Sequence, residues 1–546
     1  MTLLSASHYP AQEDVGLLEV TVGDVLRAGA ARWPQAIALM EAGADGALGR
    51  RWTFQALLAD SERLALCLLT RYAPGERIAV WAPNMPEWVI VEFAAALAGL
   101  TLVTVNPGYQ ARELKYVVEQ SRSAGLFIAP SHRGNPMAKI AADVAGEVPR
   151  LREVVDLTNA AALFAHGTMA YDLPEVSPRD PAQIQYTSGT TGTPKGALLH
   201  HLGLTNNARL TFGRMNVRPG ETVLNFMPMF HTSGCATLTL GAAQTGARMI
   251  IARQFDPPVM LDIIEAERAE LLLGVPTMLI ALLEAQATRP RDVASLRMAF
   301  SGGAHVPPEL VRKVRVAFGC GFEIVYGQTE SSPVVTQTRA DDAEQDLLDT
   351  VGAPLPQTEL AIRHPRTNQI MPVGETGEIC TRGYLVMLGY NDDPAATAAA
   401  IDADGWLHTG DLGTMDARGY LRVTGRVKDM IIRGGENLFP AEIESVLLEH
   451  PTVAEVAVVG VPDERWGEVA VCFVRSAVGA SLDPAALRGH CRVHLAAQKT
   501  PSVWIEIDEW PLTGSGKIQK FVLRERFAAG AFEAAGHNSP GRSPDN

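Results

Sequence analysis

The chain alternates short apolar runs with longer stretches whose apolar positions recur at helical spacing. RIAVWAP (Arg77–Pro83) reads as a buried strand. PEWVIVEFAAALAG follows as a helix, with Pro86 suited to a first turn and Gly99 to a stop. LTLVTVNP then returns as a strand. The same alternation recurs in ARMIIAR (Ala247–Arg253), PPVMLDIIEAERA, ELLLGVP and TMLIALLEAQ. Units of this kind predict largely parallel, buried sheets with helices on both faces. Past Ser331 the texture changes. TELAIRH, GEICTRG and GYLRVTGR are short strands separated by Gly, Asn and Asp turns, and DARG (Asp416–Gly419) suits a hairpin turn.

A third texture begins near Val427. PAEIESVLLEHP and DPAALRGHCRVHL read as helices, and VAEVAVVGVP, EVAVCFVR and VWIEI as strands. The expected fold class is therefore α/β. A large N-terminal domain of βα-layered sheets plus a small β-rich unit covers residues 1–427. A small α+β C-terminal domain covers 428–546, with a polar tail from about residue 530 that should fray. No internal repeat of 20–50 residues is visible.

Composition narrows the reading. A chain of 546 residues exceeds one compact core. Its 47 lysines and arginines against 61 aspartates and glutamates give a formal net charge of −14. That balance disfavours nonspecific nucleic-acid binding and a basic membrane-binding patch. It leaves room for a local basic site for an anionic substrate and for peripheral membrane contact. Cys67, Cys235, Cys320, Cys380, Cys472 and Cys491 include no CxxC and read as free thiols of a reducing compartment. No zinc-site spacing and no HExxH occurs. The opening MTLLSASHYPAQED lacks the basic and apolar regions of a signal peptide. The apolar window Val89–Val105 is short for a membrane span and is interrupted by Glu92 and Gly99, so no integral membrane segment is expected. The expected location is the cytoplasm.

One stretch asks for a chemical explanation. YTSGTTGTPKG (Tyr186–Gly196) gathers glycines, hydroxyls and one lysine after the strand-like AQIQY. Glycine permits close backbone approach to phosphate oxygens, hydroxyls add hydrogen bonds, and lysine adds a compact charge. The segment ALLHHLGLTNNARL that follows reads as the start of a helix whose N-terminus would also favour an anion. A Walker A loop is excluded, because Gly189 and Gly192 are too close and Gly196 follows Lys195. No G-x-S-x-G elbow is present, which argues against serine hydrolysis.

This loop resembles the phosphate-loop signature of the adenylate-forming superfamily, which includes acyl-CoA synthetases, peptide-synthetase adenylation domains and beetle luciferases. Six further segments resemble its other motifs in order: MPMFHTSG (Met227–Gly234), SGGAHVPPEL (Ser301–Leu310), YGQTE (Tyr326–Glu330), GWLHTGDLG (Gly405–Gly413), GRVKDMIIRGGENLFP (Gly425–Pro440) and PLTGSGKIQK (Pro511–Lys520). The likeness runs from about residue 20 to 528 and looks nearest to fatty-acyl-CoA synthetases.

The resemblance implies a reaction in two halves. A carboxylate attacks the α-phosphate of ATP to give acyl-AMP and pyrophosphate, and a thiol then displaces AMP. It implies that Thr187, Ser188, Gly189, Thr190, Thr191, Gly192, Thr193, Pro194 and Lys195 hold the β- and γ-phosphates. Glu330 would hold Mg²⁺ with Thr187 as second ligand. Gly302, Gly303 and Ala304 would flank the adenine, Tyr326 would stack on it, and Gly327, Gln328 and Thr329 complete that motif. Asp411 would take the ribose hydroxyls with help from Arg426, and Lys517 would bridge carboxylate and α-phosphate. His231 would line the acyl and thiol passage. Lys428 falls at the hinge about which the C-terminal domain would turn between half-reactions, and Gly434 and Gly435 would leave room for the pantetheine of coenzyme A. On their own, Glu330 also reads as a surface carboxylate, Tyr326 as a core aromatic and Lys517 as a solvated loop tip.

The expected substrates are thus ATP, coenzyme A and an acid, with a medium- or long-chain fatty acid first because the segments near MFHTSG and GVPTM are apolar. An aryl acid is the runner-up, and a carrier protein is the alternative acceptor. A catalytically silent nucleotide-binding regulator would have lost Lys517, Glu330 or Asp411, and all three are present. Oligomeric state is left open, a homodimer included.

Overall fold

The computed structural model describes residues 3–165, 172–187, 194–434, 436–463, 465–477, 479–514 and 516–532. Four sheets organise them. The first has nine strands and a parallel centre: Gly321–Gly327, Met298–Gly302, Leu271–Leu273, Thr222–Asn225, Arg248–Ala252 and Ile37–Ala42 run side by side in that order. Antiparallel strands close both edges. The second sheet has seven strands in the order Gly389–Tyr390, Lys195–His200, Pro181–Thr187, Thr101–Val105, Arg77–Trp81, Gly125–Ile128 and Glu153–Asp156.

The helix Pro86–Leu97 is buried along its whole length, and the strand Thr101–Val105 after it is buried too. A helix that is apolar all round belongs inside a protein rather than on its surface. One continuous core joins it to both sheets through Leu39, Val80, Leu102, Phe127, Val223 and Ile250. A second core covers the other face of the seven-stranded sheet, where Trp81, Val103 and Val105 meet the helices Ala111–Gln120 and Met137–Glu147. This is the predicted layering, and no helix of the described residues is long and apolar enough to cross a membrane.

The β-rich region forms a five-stranded antiparallel sheet in the order His8–Tyr9, Thr358–Arg363, Gly377–Gly383, Leu407–Met415 and Leu421–Arg426. The first of these strands was not legible, because its partners Leu360 and Ala361 lie far along the chain. The fourth sheet is built from Ile431 onward, with Val503–Glu506 adding parallel to Gly467–Ser476. Strand period two splits its side chains between two cores. Cys472 and Val474 pack with Leu447, Cys491 and Trp504, while Val471 and Phe473 pack with Ile505 and Leu523. All six cysteines are buried and none pairs with another.

One part of the predicted layout is corrected. The segment after the glycine–hydroxyl loop is not yet a helix. Lys195–His200 is a strand that returns antiparallel on Pro181–Thr187, with Thr187 opposite Lys195, and pairs on its other side with Gly389–Tyr390. Sheet partners on both sides override the local helical pattern. The helix begins only at His201, and the His200 ring caps it by accepting from the Gly203 N–H at 3.0 Å. The loop therefore spans a hairpin, and it is not the start of a helix.

Trp504 is fully buried at the centre of the C-terminal unit. Trp504→Ala is expected to cost that unit about 3–5 kcal/mol. Urea unfolding followed by circular dichroism should show its transition at clearly lower denaturant; an unmoved midpoint would contradict this core.

Candidate functional site

In open α/β sheets, ligands sit beyond the carboxyl ends of the strands. Three ends converge here. The strand Met298–Gly302 ends in Gly302 and Gly303. A Cβ on Gly302 would lie 2.3 Å from the Val325 carbonyl oxygen of the neighbouring strand, so only glycine fits. Gly303 has φ of +75°, and a Cβ there would stand 3.1 Å from Cε and 3.4 Å from Nζ of Lys517. The missing side chain at 303 thus makes way for a lysine from the C-terminal unit. Ala304 follows, exposed.

The strand Gly321–Gly327 delivers Tyr326, whose hydroxyl donates to Asp411 Oδ2 at 2.9 Å. Asp411 is buried, and Arg426 opposite it in the antiparallel ladder donates through Nε to Oδ1 at 2.9 Å. One carboxylate is thus held by a phenol and a guanidinium. Burial, then the Asp411 charge, pushes the Tyr326 hydroxyl well up, so it remains a donor.

After Gly327 the chain makes a 3₁₀ turn, Thr329–Ser331, fixed where the Gln328 N–H donates to Ser331 Oγ at 3.1 Å. The turn buries Glu330, whose Oε1 accepts from the Tyr390 hydroxyl at 2.8 Å. The Lys195 ammonium lies 5.1 Å above the Tyr390 ring, at cation–π distance. Tyr390 therefore ties Glu330 to the base of the glycine–hydroxyl hairpin. The sequence reading missed this residue. Tyr390 and Glu330 are 60 positions apart, and only the edge-strand pairing of Tyr390 with Ala197 brings them together. At the hairpin base the Thr187 hydroxyl donates to the Lys195 carbonyl at 3.4 Å, and the Pro194 carbonyl accepts from Tyr116 at 2.9 Å. Ser188, Gly189, Thr190, Thr191, Gly192 and Thr193 lie outside the described residues.

Lys517 is the cation of this cleft. Burial first, then the nearby Arg426 charge, bring its pKa down to about 8 against the opposing pull of Asp411 and Glu330. His231 stacks on Phe230 with ring centroids 4.5 Å apart. Burial, then the Lys517 charge, brings its pKa down to about 3, so the imidazole stays neutral near pH 7. His201 is structural, accepting from the Val22 N–H at 3.2 Å.

Other expected positions stand apart. Lys428 lies just past the junction where the Val427 N–H donates to the Gly410 carbonyl at 2.9 Å. Gly434 has φ of +60° and packs on Trp466 within the C-terminal unit, and Gly435 lies outside the described residues. Oxygen donors from Glu330 and Thr187 are the hard ligands that Mg²⁺ prefers, so the residues present fit that ion.

The chain resembles known proteins over most of its length. Residues 26–391 match the AMP-binding enzyme family, and residues 442–517 match its C-terminal domain. The YngI protein of Bacillus subtilis is 41% identical over 480 residues, covering 83% of this chain and 87% of that one. The human mitochondrial medium-chain acyl-CoA ligase ACSF2 is 34% identical over 540 residues, covering 93% and 87%. The crystal structure of ATP-bound MatB from Rhodopseudomonas palustris superposes with a TM-score of 0.82 at 29% identity, covering 93% of this chain and 99% of that one. The chain belongs to the AMP-binding enzyme family, as an AMP-forming acid–thiol ligase with acyl-CoA ligase activity.

Gly327 tests how the site is built. A Cβ there would lie 1.9 Å from the Pro333 carbonyl oxygen. Gly327→Ala is expected to destabilise the protein by about 1–3 kcal/mol through overpacking against backbone. Thermal melting checks this, and an unchanged midpoint would show that the turn carrying Glu330 is looser than drawn.

Proposed function

We propose that the protein activates a medium- or long-chain fatty acid with ATP and transfers it to coenzyme A. The observation that carries the reading is the Lys517 ammonium seated against Gly303, electrostatically coupled to Asp411, Glu330 and Arg426. Two anions, a carboxylate and a triphosphate, must meet for the first half-reaction. A cation between them lowers their repulsion and stabilises the charge that develops.

In this reading Asp411 accepts hydrogen bonds from the ribose hydroxyls, with Tyr326 and Arg426 fixing its orientation. The Tyr326 hydroxyl is committed to Asp411, so its ring edge, and with it the adenine contact, is set by the same bond. Gly302, Gly303, Ala304, Gly327, Gln328 and Thr329 line the adenine side. The segment from Thr187 to Lys195 takes the β- and γ-phosphates. Glu330 and Thr187 would hold Mg²⁺, which when bound neutralises charge on those phosphates. Lys517 holds the acid carboxylate against the α-phosphorus. A carboxylate oxygen forms the new bond to phosphorus, the bond to the bridging oxygen breaks, and pyrophosphate leaves with that electron pair.

For the second half, the C-terminal unit, residues 428–546, turns about Lys428. Gly434 and Gly435 then admit the pantetheine arm. The thiol sulfur, its proton lost to solvent, bonds to the acyl carbonyl carbon, the bond from that carbon to the phosphate oxygen breaks, and AMP leaves with that electron pair. A neutral His231 lines the passage.

A fatty acid is favoured by the partly apolar surroundings of the lysine loop, where Gly514 abuts Phe230 as well as Asn106, and Gly516 abuts Val275 and Met278 as well as Thr277. The named substrate class of the human relative points the same way.

Two outcomes follow. Lys517→Ala should lower decanoate-dependent ATP–pyrophosphate exchange at least a hundredfold, about 2.7 kcal/mol, yet leave transfer from synthetic decanoyl-AMP to coenzyme A largely intact. Equal loss in both assays would contradict the assigned role. The pH dependence has a definite sign. The free enzyme holds a charged Lys517 below its pKa of about 8 and loses that charge above it. Hence kcat/KM for ATP should fall through about pH 8, tenfold per unit beyond. A bound triphosphate favours the ammonium, so the corresponding limb in kcat should lie at higher pH. A flat kcat/KM profile to pH 9.5 would refute the titration.

A further inference from the structure

The lysine loop folds back on itself. The Thr513 N–H donates to the Lys517 carbonyl at 2.8 Å, the Gly516 N–H to the Thr513 carbonyl at 2.9 Å, and the Lys517 N–H to Thr513 Oγ1 at 3.0 Å. The Gly516 carbonyl instead accepts from outside the loop. Its donor is the Thr277 hydroxyl, at 2.9 Å. Thr277 is the second residue of the helix Pro276–Thr288, whose start is fixed by Pro276 in its first turn. That helix belongs to the N-terminal layers, so the bond crosses from one unit to the other one residue away from the reacting amine.

The surroundings explain why this bond sets position. Gly516 has φ of +82°, and a Cβ on it would meet Val275 at 3.2 Å. Gly514 is pressed against Asn106 and Phe230, and Lys517 runs beside Gly303. Shape holds the loop near the cleft, but these contacts are apolar or van der Waals and have little direction. The Thr277 bond supplies direction. Among the described residues, the contacts of Ser445 with His305 at 2.8 Å and of Arg475 with Glu284 at 3.4 Å also cross this boundary, at its exposed periphery. Exposed pairs of the second kind contribute little. A displacement of about 1 Å at reacting atoms can cost a hundredfold in rate.

We infer that Thr277 is a positioning residue of the first half-reaction, its hydroxyl seating the Lys517 loop for adenylation and releasing it when the C-terminal unit turns for thioester formation. This rests on the role given to Lys517 above. The acceptor is a main-chain carbonyl, so the requirement is a hydroxyl at position 277 and nothing more: serine meets it, and the isosteric valine does not.

The test compares Thr277→Val, Thr277→Ser and Lys517→Ala in the full-length enzyme. Each is assayed for decanoate-dependent ATP–pyrophosphate exchange and for transfer from synthetic decanoyl-AMP to coenzyme A. Thr277→Val should lower the exchange kcat about tenfold, roughly 1.4 kcal/mol, with KM for decanoate and the transfer rate within twofold of wild type. Retained transfer also shows that the variant is folded. Thr277→Ser should restore exchange to within about threefold. The inference is overturned if Thr277→Val exchanges normally, if exchange and transfer fall together, or if serine fails to rescue. Lys517→Ala separates the two levels. Lost exchange there with normal exchange in Thr277→Val removes only the seat, whereas retained exchange in Lys517→Ala removes the lysine's role and the seat with it.

Discussion

An ammonium group carried on one folding unit has to be held inside a cleft made by another. Everything else in the arrangement answers to that constraint. A buried amine loses hydration, and the loss alone would favour its neutral form. The carboxylates of Asp411 and Glu330 oppose this, while Arg426 reinforces it. The result is an amine whose pKa, about 8, lies closer to neutrality than an ordinary lysine's, and an arriving polyanion would favour its charged form further. A lysine on a fixed strand could be more tightly held, but it could not be withdrawn for a second chemical step.

The sheets are arranged to receive that group. The nine-stranded sheet contributes glycines where the lysine stem must pass, because a Cβ at Gly303 would crowd it. The antiparallel sheet contributes Asp411 and Arg426 from facing positions of one ladder, so their ion pair is fixed by register. The seven-stranded sheet contributes the hairpin base and the edge strand with Tyr390. That tyrosine spans from Lys195 to Glu330 and so links the base of the glycine–hydroxyl hairpin to the buried carboxylate. The polar groups that orient the nucleotide residues thus come from elements distant in sequence but adjacent at the strand ends.

Much of this was legible before any coordinates. The helix Pro86–Leu97 and the strand Thr101–Val105 follow from apolar spacing punctuated by Pro86 and Gly99, and the helices and strands of the C-terminal unit from the same kind of spacing. Asp411, Glu330 and Lys517 were singled out because their flanking residues resemble known motifs. What escaped has one physical cause. The strand Lys195–His200 looks helical locally and becomes a strand only because two sheet partners claim it. The strand His8–Tyr9, the Tyr390 contact and the Thr277 bond likewise exist only through partners hundreds or scores of residues away. Local pattern carries propensity, whereas pairing across the fold decides which side chains meet.

The buried cysteines bear on the chemistry in a different way. An enzyme that brings a free thiol up to an activated acyl group risks acylating its own sulfur, or trapping the incoming thiol as a mixed disulfide. Both side reactions need an accessible thiolate. Cys235 follows His231 closely in the chain, and its Sγ contacts the His231 carbonyl at 3.3 Å. It is fully enclosed, and burial pushes its ionisation far above the usual thiol range. Cys320 and Cys491 are pushed up to about 11 by the same cause. Keeping its own sulfurs buried and out of reach leaves the incoming thiol as the competent sulfur nucleophile in the cleft.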